Sequence, residues 1–114
     1  MYDKVDMNEE IPYLKDIVSI ICSLVSPDCI ILFGSYARGN NNKNIDIDLL
    51  VIKDELKKER KVMNTLYMAF FEKGIRKAVD LLAIDKNKYD QLNNECGLIY
   101  KTIKQEGKII YGTI

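Results

Sequence analysis

Two aspartates stand two residues apart in the otherwise apolar run Ile45-Asp46-Ile47-Asp48-Leu49-Leu50-Val51. If this run is a strand, alternate side chains share a face, so Asp46 and Asp48 project to the same side. Carboxylates that close repel each other, and the hydrophobic strand adds a desolvation penalty. A divalent cation relieves both by taking carboxylate oxygens and neutralising their charge. The competing reading is a solvent-facing strand on which both acids are simply hydrated, and an isolated Asp-x-Asp does not choose between the two. A third acid, Asp80, interrupts Ala78-Val79-Asp80-Leu81-Leu82-Ala83-Ile84. It fits as a third ligand if its strand lies beside the first; the structural alternative is an ion pair with Arg76 or Lys77. Three carboxylates around two cations roughly 3.5–4 Å apart form a clamp for in-line phosphoryl transfer. The chain has no histidine, so Asp80 is then the group that accepts or orients a hydroxyl proton. The same lack of imidazole points to oxygen-ligated Mg²⁺ or Mn²⁺ rather than zinc.

A second constellation lies upstream, at Phe33-Gly34-Ser35-Tyr36-Ala37-Arg38-Gly39. Glycine directly after a buried strand lets the backbone turn sharply and approach a ligand. Residues Ser35 to Arg38 could open a short helix whose free N–H groups point at an anion. The Ser35 hydroxyl can donate to a phosphate oxygen. Arg38 could add positive charge there or form a surface salt bridge. Gly39 reads as a helix stop, and Tyr36 as a loop aromatic.

These residues need a scaffold. Leu14, Ile17, Val18, Ile21, Leu24 and Val25 recur at helical spacing and predict a helix over about Asn8 to Val25, with Asn8 as N-cap and Glu9 and Glu10 at the positive end of its dipole. Ser26-Pro27-Asp28 ends it. Cys29 to Phe33 reads as a strand buried on both faces. After the polar loop Asn40 to Asn44, a second strand is expected over Ile45 to Ile52, with both acids embedded in it. A long helix over about Glu55 to Lys73 stops at Gly74. A third strand covers about Arg76 to Ile84, and Asp85 can cap a helix bearing Tyr89 and Leu92. A last helix over Leu98 to Gln105 ends at Gly107, and Ile109-Ile110-Tyr111 forms an edge strand or a packed tail. The order defines a small α/β domain of α+β character, with helices against a sheet. Periodicity leaves the relative direction of the second and third strands open.

The 114 residues suit one domain, 1–114, and 47% hydrophobic content supplies its core. Lysine plus arginine equals aspartate plus glutamate at 17 each, which argues against a long nucleic acid as ligand. A small anion needs only a local site, and a neutral surface is compatible with a protein partner or a homo-oligomer. Cys22, Cys29 and Cys96 lack paired spacing and sit beside apolar residues, as core or boundary thiols of a reducing cytoplasm. The acidic, polar N-terminus is unlike a signal peptide. No apolar run approaches the ~20 residues of a membrane span.

Jointly the pieces are more specific than singly. Gly34-Ser35, ten residues, then Asp46-Ile47-Asp48 resembles the GS-x10-DxD signature of the DNA polymerase beta nucleotidyltransferase superfamily. Phe33 to Gly39 looks like the FGSxARG form of its minimal nucleotidyltransferases, Val79-Asp80-Leu81 falls where they carry a third carboxylate, and Glu106-Gly107-Lys108-Ile109-Ile110-Tyr111 is similar to their EGxxxY ending. The resemblance implies a polymerase beta-like mixed sheet flanked by helices. It implies two Mg²⁺ ions on Asp46, Asp48 and Asp80, and a nucleoside triphosphate, ATP, held by Gly34 and Ser35, where Arg38 is the residue that could add charge. It also implies AMP transfer to a hydroxyl, with Asp80 activating the acceptor. Minimal members often serve as antitoxins that add AMP to a tyrosine of a HEPN-domain toxin. The alternatives are a non-catalytic antitoxin that neutralises by docking, and a nucleotidyltransferase for a small aminoglycoside-like hydroxyl compound.

Overall fold

The computed structural model describes residues 3–4, 11–39, 45–94 and 98–114. The expected N-cap Asn8, its neighbours Glu9 and Glu10, the loop Asn40 to Asn44, and Cys96 lie outside the described residues. The chain runs β1 (Asp3–Lys4), α1 (Leu14–Val25), β2 (Cys29–Phe33), α2 (Gly34–Ala37), β3 (Ile47–Lys53), α3 (Glu59–Glu72), β4 (Val79–Asp85), α4 (Lys86–Asn94), α5 (Leu98–Glu106) and β5 (Lys108–Gly112).

The five strands form one mixed sheet in the order β1-β5-β2-β3-β4. β2 is antiparallel to β3 and β5, and β3 is parallel to β4. The direction that periodicity left open is thereby settled: α3 carries the chain back across the sheet, the crossover that parallel neighbours require. The register of this pair sets Asp48 directly beside Asp80.

Strand alternation divides the core between the two faces. Ile30, Leu32, Ile47, Leu49, Val51, Val79, Leu81 and Ala83 pack against α1 and α3 through Ile17, Ile21, Leu66 and Phe70. Cys29, Ile31, Leu50, Ile52 and Ile84 pack on the other side against Tyr89 of α4 and Ile103 of α5. By the same parity, Asp48 and Asp80 project to the α4/α5 side. Phe33, the partner of Asp48 in β2, packs against that second cluster.

Four expectations need correction. α1 begins at Leu14, after a left-handed Tyr13 that makes no side-chain cap. β3 begins at Ile47, so Asp46 precedes the strand and is not embedded in it. α3 begins at Glu59 because Asp54 and a left-handed Glu55 form a turn first. β5 lies inside the sheet, because β1 pairs with its outer side. Asp85 does cap α4: its carboxylate accepts the Asn87 and Lys88 N–H groups at 3.0 and 3.4 Å.

Candidate active site

The turn out of β2 and the start of β3 are built against each other. Gly34 has φ +73, a left-handed conformation that glycine adopts without penalty. A β-carbon there would run into the Asp48 carboxylate and lie 3.0 Å from its Cγ. Glycine is thus required twice, for the turn and for the space that the acid occupies. α2 is a single turn, which the Arg38 N–H closes by donating to the carbonyls of Gly34 and Ser35 at 3.2 Å. Ser35 is half-buried, and its hydroxyl accepts a hydrogen bond from the Arg38 guanidinium at 3.3 Å. Tyr36, expected as a loop aromatic, is buried in the α1/α3 core, with the Lys77 ammonium 5.3 Å from its ring centre.

The carboxylates meet at the end of the sheet where α2 turns. Asp48 is half-buried, whereas Asp46 and Asp80 are exposed. Burial pushes the Asp48 carboxyl up to about 6, with the Asp80 charge, a hydrogen bond to Asp80 and the Asp46 charge adding to the rise and Arg38 opposing it. The repulsion expected between acids is therefore present, and the partner that contributes most of it is Asp80, across the strands. Sequence spacing had pointed first to Asp46 as that neighbour.

This donor set suits a hard divalent cation: oxygen ligands only, with negative charge that the protein compensates incompletely. Among the described residues, no group of three or more acidic or thiol side chains forms a ready metal cage. Mg²⁺ does not need one, since it commonly takes one or two carboxylates and completes its shell with water and substrate phosphate oxygens.

Arg38 forms the surface ion pair weighed as its alternative. Its guanidinium lies 3.4 Å from Glu106 on α5, with both side chains about half exposed. Such a pair is worth ~0–1 kcal/mol and is easily exchanged for another anion. No local spacing marks Glu106 as a site neighbour, because 68 residues separate it from Arg38. Its place in the C-terminal Glu-Gly-x-x-x-Tyr string was the available signal. That string ties the last helix and strand to the site: Glu106 reaches Arg38, Gly107 packs where a β-carbon would lie 2.6 Å from Ile31, and Tyr111 hydrogen-bonds Cys22. Cys22 is half-buried and Cys29 buried, both as free thiols.

An open cavity of about 870 Å³ lies at the opposite end of β3 and β4, lined by Lys57, Lys58, Arg60, Lys61, Asp85 and Lys88 among others. It contains none of the candidate site residues Gly34, Ser35, Arg38, Asp46, Asp48 and Asp80. No helix among the described residues is long and apolar enough to cross a membrane.

A glycine turn against a strand-borne acid, with a second acid in register on the neighbouring strand of a mixed α/β sheet, is an arrangement suited to phosphate and cation chemistry. The chain belongs to the nucleotidyltransferase domain family, whose model matches residues 14–110. It is 30% identical over 109 residues to the protein adenylyltransferase MntA of Aphanizomenon flos-aquae (strain 2012/KM1/D3), covering 92% of this chain and 73% of that protein. Its fold is similar to that of a solved toxin-antitoxin with AMP-PNP (TM-score 0.57, 24% identity, 87% of this chain and 73% of the other). It is also similar to a structure containing a tri-AMPylated HEPN toxin of Shewanella oneidensis in complex with its MNT antitoxin (TM-score 0.51, 22% identity, 87% and 69%).

Proposed function

We propose that this chain is a Mg²⁺-dependent protein adenylyltransferase that moves AMP from ATP to a tyrosine hydroxyl of a HEPN-domain toxin, and so acts as an antitoxin. The observation that carries this reading is the in-register pairing of Asp48 with Asp80 beside the Gly34 turn. The relative's name and the AMPylated toxin of the neighbouring structure support the reaction and its acceptor. The AMP-PNP bound to another neighbour supports ATP as the donor.

In this reading one domain, 1–114, carries the whole site. Asp46 and Asp48 hold the cation with Asp80 completing the set, and Gly34, Ser35 and Arg38 hold the triphosphate. The bound cation supplies charge neutralisation and a lowered hydroxyl pKa. Asp80, on the open side of the sheet, takes the proton as the acceptor oxygen bonds to the α-phosphorus. The bond from that phosphorus to the bridging oxygen breaks, and pyrophosphate leaves. Arg38 exchanges Glu106 for a phosphate oxygen, a trade favoured by the weakness of the exposed ion pair. Free thiols at Cys22 and Cys29 suit a cytoplasmic setting.

The test mixes the protein, a cognate HEPN-domain toxin, Mg²⁺ and labelled ATP. Label should enter the HEPN protein, and Asp46→Asn or Asp48→Asn should reduce the rate by about a thousandfold or more. Undiminished labelling in either variant refutes the proposed site. Absence of label with wild-type protein, together with neutralisation of the toxin by the Asp46→Asn, Asp48→Asn double variant, replaces catalysis with docking.

A further inference from the structure

We propose that Tyr67 is a positioning residue for Asp80, acting through the backbone amide of Leu81. This rests on the role given to Asp80 above.

Among the described residues β4 is an edge strand, with β3 on one side and no strand on the other. The Ile47 N–H donates to the Ala78 carbonyl at 2.9 Å, so even-numbered residues at this strand turn their peptide groups toward β3. Odd-numbered residues turn theirs outward. Two of these outward amides are met by α3: the Leu81 N–H donates to the Tyr67 hydroxyl at 2.8 Å, and the Asp85 N–H donates to Glu59 Oε2 at 3.1 Å. The spacing agrees with antiparallel packing of helix on strand. Eight helical residues rise about 12 Å, and four strand residues span about 13 Å. α3 therefore fastens the open edge of β4 at two points, one beside Asp80 and one five residues away.

The near fastening acts on the acid. The carbonyl of Asp80 and the N–H of Leu81 belong to one rigid peptide plane. Ladder alternation turns the carbonyl toward β3, and Tyr67 holds the N–H on the opposite side. Asp80 lies in register with Asp48 of β3, and the Tyr67 hydrogen bond fixes the Asp80–Leu81 peptide plane from the side away from β3. The ring is itself held edge-on against Phe70, with centroids 6.5 Å apart, so Tyr67→Phe keeps the packing and removes only the hydroxyl.

Glu59 provides an internal control, because its tie is of the same kind but distant from the site. Tyr67→Phe should speed hydrogen exchange at the Leu81 amide. It should also weaken Mn²⁺ binding, measured without nucleotide by electron paramagnetic resonance, and lower kcat, each by about tenfold, as loss of a supporting contact around a metal ligand does. The KM for ATP should stay unchanged. Glu59→Ala should lower thermal stability at least as much while leaving Mn²⁺ affinity and kcat unchanged. The proposal is overturned if Tyr67→Phe exposes the Leu81 amide yet leaves Mn²⁺ affinity and kcat at wild-type values, or if both variants lose activity in proportion to lost stability. Asp80→Asn separates the two claims. Transfer that survives it removes the role of Asp80, whereas transfer abolished by it but untouched by Tyr67→Phe removes only the positioning role.

Discussion

Asp85 closes β4 surrounded by donors: its carboxylate accepts the N–H groups of Leu56, Asn87 and Lys88, and the Glu59–Lys88 ion pair flanks it. At the other end of the same strand pair, Asp48 and Asp80 face each other across the register, and burial together with neighbouring acids holds the Asp48 carboxyl up at about 6. The residue type is the same and the strands are neighbours, yet the surroundings are opposite. An acid whose lone pairs are filled by backbone donors is part of the fold's structure: it caps a helix and joins a loop to a strand. An acid left beside other acids, in half-buried surroundings, weakens the fold until something positive arrives. The difference sets a carboxylate compensated by the fold apart from carboxylates that the fold leaves uncompensated.

The contrast is broken most strongly at Gly34. Alanine there must adopt a left-handed backbone, at about 1–2 kcal/mol, and its β-carbon meets the Asp48 carboxylate. Gly34→Ala should therefore lose about 3 kcal/mol of stability by urea denaturation, together with most of the activity. In an Asp48→Ala background the collision is gone, and the loss should shrink to the backbone component of about 1–2 kcal/mol. An equal loss in both backgrounds would show that the glycine serves the turn alone.

Opposite signs are expected when the two acids are removed one at a time. Asp85→Ala strips acceptors from three N–H groups and should cost about 2 kcal/mol. Asp48→Asn removes a charge that is opposed by burial and by Asp80, and should raise stability by about 1 kcal/mol while abolishing transfer. Denaturant midpoints without divalent cations measure both. A destabilised Asp48→Asn protein would place Asp48 with Asp85 as a structural acid.

Much of this was legible in the chain. Asp48 and Asp80 stand out as polar residues that interrupt apolar strands, Gly34 and Asp46 by their spacing from Asp48, and the apolar periods located β2 and β4 to within a few residues. What escaped is long-range. The parallel register that joins Asp48 to Asp80 depends on how α3 crosses the sheet, which a strand's own pattern does not encode. Tyr67 reads as one more apolar helix residue until the Leu81 amide is found 14 positions away. The start of α3 was placed too early because Lys57 and Lys58 are good helix formers, whereas the turn at Asp54 and Glu55 delays it. Tyr36 looked exposed in a polar stretch, yet α2 turns it into the α1/α3 core.

The smallest expected effect is a pH dependence, and its sign carries the information. Asp48 titrates near 6 in the folded chain and near its ordinary 3.8 when unfolded. Between these values the folded state keeps a proton that the unfolded state has released, so stability must fall as pH rises from about 4 to about 6 and then level off. The full shift corresponds to about 3 kcal/mol, and solvent access on the open side reduces the expected change to about 1 kcal/mol. Subtracting the pH profile of Asp48→Asn from that of the wild type isolates this contribution from every other carboxylate. Adding Mg²⁺ at pH 7 should then recover the lost stability in the wild type and leave the variant unaffected, because a cation binds the ionised carboxylate and stabilises the folded state by mass action. A difference profile that rises with pH would mean that Asp48 is already compensated by groups of the protein itself, and the distinction between the two ends of the sheet would disappear.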